Sequence, residues 1–157
     1  GIVVAMVLVV GALVAFSPPS AQSPKNTVSD SALTAPEAAY DFGAVSMAKG
    51  KVIKMFEINN NTSDQITASK LYTSCMCTSA TLIVGDRRIG PFGMEGHGGR
   101  IPTINMDLSP GQTAEIEVTF DPAAHGPAGI GPIVRNVFLE TTNGQKLVFE
   151  IKAQVTP

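Results

Sequence analysis

The two cysteines of this chain lie one residue apart, in the segment TSCMCTS at residues 73–79. A thiolate sulfur is both a nucleophile and a soft metal ligand, so Cys75 and Cys77 are the residues most able to do chemistry. Four interpretations stay open at this point. The pair could form a disulfide, hold a metal ion, link covalently to a partner, or pack as small apolar side chains in a core.

The local geometry decides whether the two cysteines can bond to each other. A strand through residues 71–78 would place both side chains on one face, with Cα atoms about 6.5 Å apart. That separation is near the upper limit for a disulfide. A Cys75–Cys77 disulfide therefore requires a turn at this point, and we expect such a bond to be strained and easily reduced.

A metal site at the cysteine pair would favour Cu(I), because thiolate and thioether sulfur are soft ligands. Further ligands could come from His97 or from one of three methionines, Met76, Met94 and Met106. The paired C-x-x-C groups of structural zinc sites and the C-x-x-C-H motif of c-type haem proteins are absent from the sequence. We predict no cofactor, with copper at Cys75, Cys77 and His97 as the alternative.

The sequence carries no catalytic motif that would make the chain an enzyme. His97 and His125 lie in Gly-rich segments without a nucleophile at a motif spacing. The segments GDRRIG and GHGGR could cradle an anion, but the P-loop and dinucleotide patterns are missing. With 11 Lys and Arg against 13 Asp and Glu, the net charge of -2 argues against nucleic acid as a partner. We therefore expect no catalytic residues and no enzyme activity.

Residues 1–16, GIVVAMVLVVGALVAF, are apolar and uncharged. As a helix they span about 24 Å, a little less than the ~30 Å hydrocarbon core of a bilayer. One interpretation is a secretory signal peptide with AQS at 21–23 as its cleavage site. The other, which we predict, is a single transmembrane anchor whose stripe of small residues lets partner helices approach closely. That stripe consists of Gly1, Ala5, Ala12 and Ala15.

The remaining chain divides into a linker and a β domain. Residues 17–38 are rich in Ser, Pro and Ala and are predicted to be an extended linker, roughly 25 Å long as a coil. From residue 39 to 157 the apolar residues alternate with polar ones, most clearly in TAEIEVTF and KLVFEIKAQV. Short alternating segments separated by Gly, Asn and Pro turns predict an all-β, Ig-like antiparallel β-sandwich. The predicted strands are 40–43, 51–58, 65–73, 113–120, 133–141 and 146–155.

Five segments carry a family resemblance, in order along the chain: DFG, FEINN, SCMCT, SPGQTAEIEVTFDP and TTNGQKLVFEIKAQV. Together they resemble the bacterial Ig-like domain-of-unknown-function family 1573, which is related to the major-sperm-protein-like sandwiches. The resemblance covers roughly residues 39–156, with Met76 where the family usually has Gly. It implies the sandwich fold and an exported setting, but no chemistry.

Residues 82–108 depart from that family pattern and are predicted to be a long Gly-rich insertion. Loops of this length are usually functional or disordered, so we expect a binding surface to hold it. The residues predicted to contact a partner there are Arg87, Arg88, His97 and Arg100.

These features predict a non-catalytic, membrane-anchored accessory subunit of a larger membrane complex, with photosynthetic and respiratory complexes as candidate hosts. The expected localisation is a single-pass membrane protein whose C-terminal domain lies in the periplasm of a bacterial cell. The expected partners are the bilayer and other subunits, contacted through the helix, linker and loops. The alternative is a periplasmic copper-handling or thiol-redox module that uses the C-x-C pair.

Overall fold

The computed structural model describes residues 32–96 and 103–157. In these residues the chain forms an all-β sandwich of two five-stranded sheets. Across the same residues, no helix has the length and hydropathy needed to cross a bilayer. Several predicted features lie outside the described residues: the helix at 1–16 with Gly1, Ala5, Ala12 and Ala15, most of the linker, and His97 and Arg100.

Six of the ten strands, β2, β3, β4, β8, β9 and β10, follow the segments that the sequence predicted. The first sheet has the strand order β1-β3-β8-β5-β6 and the second the order β2-β10-β9-β4-β7. Two short 3₁₀ turns, Met47–Lys49 and Gly126–Gly129, lie in the connections. The strand bounds are β1 Leu33–Thr34, β2 Ala39–Ser46, β3 Val52–Asn60, β4 Ile66–Thr73, β5 Thr78–Val84, β6 Arg87–Phe92, β7 Met106–Leu108, β8 Thr113–Phe120, β9 Gly131–Thr141 and β10 Lys146–Thr156.

The core lies between the two sheets, and the period-two alternation that predicted it is confirmed. On β8, Ile116, Val118 and Phe120 are buried between the sheets. The two sheets meet at Phe56 of β3 and Phe149 of β10, whose ring centroids are 5.1 Å apart. Burying a side chain of this kind contributes roughly 1.5–3 kcal/mol, so the alternating apolar face is what holds the sheets together.

The predicted linker at 17–38 is wrong at its C-terminal end, because β1 joins the first sheet. Leu33 is completely buried and pairs with Asn60 of β3. The side chain of Gln145 also bonds to both backbone groups of Leu33, accepting from its N–H at 2.8 Å and donating to its carbonyl at 2.7 Å. Leu33 is buried with satisfied backbone groups, and Ala32, Ala35 and Ala38 also pack against the core, so this segment is docked.

The predicted Gly-rich insertion at 82–108 is wrong over much of its length. Its first part forms a hairpin between β5 and β6, with Gly85 in the turn at a φ of 58°. Ile89 packs against the core from β6. At its other end β7 pairs with β4, and Leu108 is fully buried. Apolar residues spaced between the glycines supply the core contacts that a free loop would lack.

One pair of strands departs from the predicted antiparallel pairing. β2 runs parallel to β10, with Tyr40 opposite Ile151 and Val45 opposite Val155. A parallel pair cannot be joined by a short hairpin. Almost the whole domain lies between these two strands, which are the first long strand and the last strand of the described residues.

Candidate thiol site

The segment with both cysteines is a turn between the two sheets. β4 ends at Thr73 and β5 begins at Thr78, so Cys75 and Cys77 lie in the connection. The N–H of Thr78 donates to the Cys75 carbonyl at 3.1 Å. The buried Thr73 hydroxyl lies 3.0 Å from the carbonyl oxygens of Cys75 and Thr78. The turn on which a Cys75–Cys77 disulfide depends is therefore present, and both thiols are free.

Two further side chains meet the thiols from distant parts of the chain. His125 Nε2 lies 3.3 Å from Cys75 Sγ. Arg135 Nε donates to Cys77 Sγ at 3.3 Å. The two sulfurs and one ring nitrogen of His125 all lie within 4.8 Å of one another. The site thus combines two thiols, an imidazole and a guanidinium.

His125 reaches the thiols because the loop after β8 is tied to the cysteine turn. The N–H of Asp121 donates to the Cys77 carbonyl at 2.8 Å. The Asp121 carboxylate accepts from the N–H of Ala123 at 2.9 Å, which tightens the loop. Gly129 leaves room for the base of the His125 side chain, since a Cβ at residue 129 would lie 3.1 Å from the His125 Cβ.

Arg135 reaches the thiols from the middle of a strand. It stands between Ile133 and Val137 on β9, at an inward position of the alternating pattern. Its Nη1 donates to the Val134 carbonyl at 2.8 Å, so both ends of the guanidinium are held. The charge therefore lies at a fixed place beside Cys77.

These neighbours act on the two thiols in opposite directions. Burial raises the pKa of Cys75, but hydrogen bonds from Cys77 and His125 and the charge of Arg135 outweigh it and lower the pKa to about 7. Burial is also the main effect on Cys77 and raises the pKa of that thiol, as does its hydrogen bond to Cys75. Cys75 is the half-buried member of the pair and Cys77 the buried one. Cys75 is therefore the more accessible and the more easily ionised thiol.

A cavity of about 380 Å³ opens beside the site. Its polar wall includes Cys77, Asp121, His125 and Arg135, and its apolar wall includes Phe120 and Ile133. A small molecule or a side chain of a partner could reach the Cys77 sulfur through this opening, whereas Cys75 does not line the cavity.

The arrangement can do two kinds of chemistry. An accessible thiolate beside a buried second thiol is the pattern of a nucleophile with a resolving cysteine. Two sulfurs and an imidazole within 4.8 Å of one another could also hold a soft metal ion.

The site does not include Met106, Arg87 or Arg88, and Met94 forms a bridge with Thr73 beside the cysteine turn. Met106 is fully buried in the core, where it cannot act as a copper ligand without unfolding β7. Met76 points away and is 55% exposed. Arg88 lies on β6 and donates two hydrogen bonds of 2.9 Å to the Glu117 carboxylate on β8. Arg87 is exposed beside it.

Sequence reasoning missed His125 and Arg135 as partners of the cysteines. The position of Arg135 carried a signal, because a charged residue stands on the inward face of IVRNVFLET. The segment around His125 carried none, since AAHGPAG has no periodicity.

No family model and no curated protein matches this chain. The resemblance to family 1573 therefore stays a prediction. Solved structures do match, and they share the fold. A protein of unknown function from Porphyromonas gingivalis W83 is 14% identical, with a TM-score of 0.57 over 78% of this chain. This chain spans only 46% of that protein's length.

Two further structures have the same architecture at low sequence identity. The ASH / PapD-like domain of human CEP192 (PapD-like domain 7) is 14% identical, with a TM-score of 0.50 over 95% of this chain and 96% of that one. A family 123 glycoside hydrolase from Clostridium perfringens is 6% identical, with a TM-score of 0.53 over 75% of this chain and 22% of that one. At these identities the likeness shows the sandwich fold alone.

Proposed function

We propose that this chain is a thiol–disulfide exchange module, in which Cys75 is the nucleophile and Cys77 the resolving thiol. The observation that carries the proposal is the turn between β4 and β5, which holds a half-buried and a buried thiol within 4.8 Å of each other. The lowered pKa of Cys75 and the guanidinium at Cys77 support the same roles.

The exchange has two steps and needs one disulfide as co-substrate. The Cys75 thiolate attacks one sulfur of the substrate disulfide, and the other sulfur leaves as a thiolate. Cys77 then gives its proton to that leaving thiolate and attacks Cys75 Sγ, which releases the second substrate thiol. Two electrons pass to the substrate, and a Cys75–Cys77 disulfide remains. Because that disulfide would be strained, the oxidised form should in turn oxidise dithiols readily.

The test is the reaction of the reduced protein with an excess of an aromatic disulfide whose released thiolate absorbs light. The native chain should release two thiolates per chain and carry no adduct, because Cys77 resolves the intermediate. Cys77→Ser should release one thiolate and retain a stable adduct on Cys75. Cys75→Ser should react far more slowly, because the buried thiol is left alone.

Mass spectrometry of the native product decides the outcome. A loss of two protons with no added mass shows the Cys75–Cys77 disulfide and supports the proposal. Two stable adducts on one native chain, or equal rates for the two single variants, would refute it. The matched control is Met76→Leu, which changes the exposed residue between the cysteines and should leave both rates unchanged.

We also propose that the domain serves as a membrane-anchored accessory subunit of a larger membrane complex, on the periplasmic side. The observation that favours this role is an apolar patch on the outer face of β3, formed by Ile53 and Met55, which are 59% and 36% exposed. Exposed apolar neighbours on a sheet face are typical of contact surfaces.

Its test is purification of the full chain from native membranes in a mild detergent. The chain should co-purify with integral membrane subunits at a fixed ratio, and the double variant Ile53→Ser and Met55→Ser should lose them. The matched control is Val148→Ser, an equally exposed apolar residue on the other sheet. Purification of the native chain alone would contradict this role without bearing on thiol exchange.

A further inference from the structure

The thiol site has the donor set of a metal centre, and this is separate from its ability to exchange disulfides. Its donors are Cys75 Sγ, Cys77 Sγ and a ring nitrogen of His125, all within 4.8 Å of one another. With metal–sulfur bonds of about 2.3 Å and metal–nitrogen bonds of about 2.0 Å, sulfur and nitrogen ligands of one ion lie about 3.5 Å to 3.8 Å apart. The observed 3.3 Å between Cys75 Sγ and His125 Nε2 needs a shift of about 0.5 Å or less.

The kind of ion that the site would bind follows from the softness of its ligand atoms and from the net charge of the site. Two thiolates and an imidazole suit a soft ion with a low coordination number, and among the described residues the cluster offers three donors. Arg135 adds a positive charge 3.3 Å from Cys77 Sγ. With two thiolates and the guanidinium, a singly charged ion gives a neutral site and a doubly charged ion leaves one uncompensated positive charge. A half-buried site favours the neutral combination.

The surroundings of the thiols are suited to holding them as ligands. The N–H of Cys77 donates to Cys75 Sγ at 3.4 Å, and Arg135 donates to Cys77 Sγ. Such donors to ligand atoms fix their orientation and stabilise their negative charge. His125 is exposed and the cavity opens beside it, so an ion has a route to the site.

We propose that Cys75, Cys77 and His125 form a Cu(I) site whose charge is balanced by Arg135. On binding, each thiol releases its proton to solvent and both sulfurs become ligands. Copper stays in the Cu(I) state, and no electron is transferred. This site differs from the one expected from the sequence, because His125 replaces His97 as the nitrogen ligand. It also goes beyond thiol exchange, since it needs no disulfide and no oxidation of the protein.

The test is an anaerobic competition between the fully reduced chain and bicinchoninate for Cu(I). The native chain should remove one Cu(I) per chain from the coloured complex. His125→Gln should weaken Cu(I) binding at least about tenfold, and Cys75→Ser and Cys77→Ser should weaken it further. Because His125 is exposed, its variant should unfold at the same urea concentration as the native chain, which separates loss of a ligand from loss of the fold.

The matched control is His97→Gln, the variant of the histidine that the sequence pointed to, and it should leave the affinity unchanged. An affinity that falls in His97→Gln and not in His125→Gln would overturn the site. So would a native chain that takes no Cu(I) from bicinchoninate, or one that binds Zn²⁺ in preference to Cu(I). Exchange with an aromatic disulfide is measured in metal-free protein, so failure of either proposal leaves the other standing.

Discussion

The reactivity of Cys75 should depend on pH in a way that the site geometry dictates. The hydrogen bonds and the guanidinium at the site lower the pKa of this thiol from 9.0 to about 7. At pH 7 about half of Cys75 is then thiolate, against about 1% of an unperturbed thiol. Thiolate reactivity falls as the pKa falls, by roughly eightfold over this difference. The net expectation is that Cys75 reacts about sixfold faster at pH 7 than an unperturbed thiol.

The assay is stopped-flow reaction of the reduced, metal-free chain with 4,4′-dithiodipyridine across the pH range. The first-phase rate should rise with pH and reach half its maximum near pH 7. Arg135→Gln removes a positive charge beside the thiols, so its midpoint should move to higher pH, with the largest loss of rate on the acid side. Arg88→Gln removes a guanidinium that is bound to Glu117 instead, so its midpoint should not move.

Two results would refute this reasoning. One is a midpoint at the ordinary value for a free thiol, which would mean that the hydrogen bonds from Cys77 and His125 and the charge of Arg135 do not act on Cys75. The other is a first adduct on Cys77, which mass spectrometry of the early product would reveal. Burial raises the pKa of Cys77, so we expect no first adduct on that thiol. Finding one would reverse the assignment of nucleophile and resolving thiol.

Three further predictions concern the sandwich that holds the site. Leu33→Ala should lower the free energy of unfolding by about 2–5 kcal/mol in urea titrations, because β1 is a docked strand. A change within error would mean that β1 does not contribute to stability, as expected of a linker. Asn60→Ala should cost about 1–3 kcal/mol, because the buried Asn60 amide donates to the carbonyls of Asp64, Leu108 and Ser109. Glu117→Gln should cost less than about 1 kcal/mol by the same titration, because its pair with Arg88 is exposed.

The sequence by itself determined six of the ten strands and which of their faces are buried. Ile116, Val118 and Phe120 stand at alternate positions, and a strand must place such residues on one face. That pattern is local, so it could be read without knowing where any other strand lies. The same local reasoning established that a Cys75–Cys77 disulfide requires a turn, because residues two apart on a strand cannot approach closely enough.

Local patterns also explain why the predictions for residues 82–108 and for the end of the linker were wrong. The glycines of residues 82–108 suggested one long loop, yet Ile89 and Leu108 hold β6 and β7 in the two sheets. Buried Leu33, with Ala32, Ala35 and Ala38 packed against the core, holds the end of a segment that is rich in Ser, Pro and Ala. In both cases burial against distant strands outweighed the local composition, which tertiary packing commonly does.

Only the tertiary structure decided what surrounds the thiols. His125 is 50 residues from Cys75, and Arg135 is 58 residues from Cys77. Their contacts depend on the order of strands in two sheets and on one backbone bond, from Asp121 to the Cys77 carbonyl. Neither spacing nor periodicity encodes such distances, because they arise when strands far apart in the chain pair. The sequence provides two thiols in a C-x-C pair. The packing of the sandwich places an imidazole and a guanidinium beside them and holds them in a turn, and these neighbours set the reactivity of the thiols.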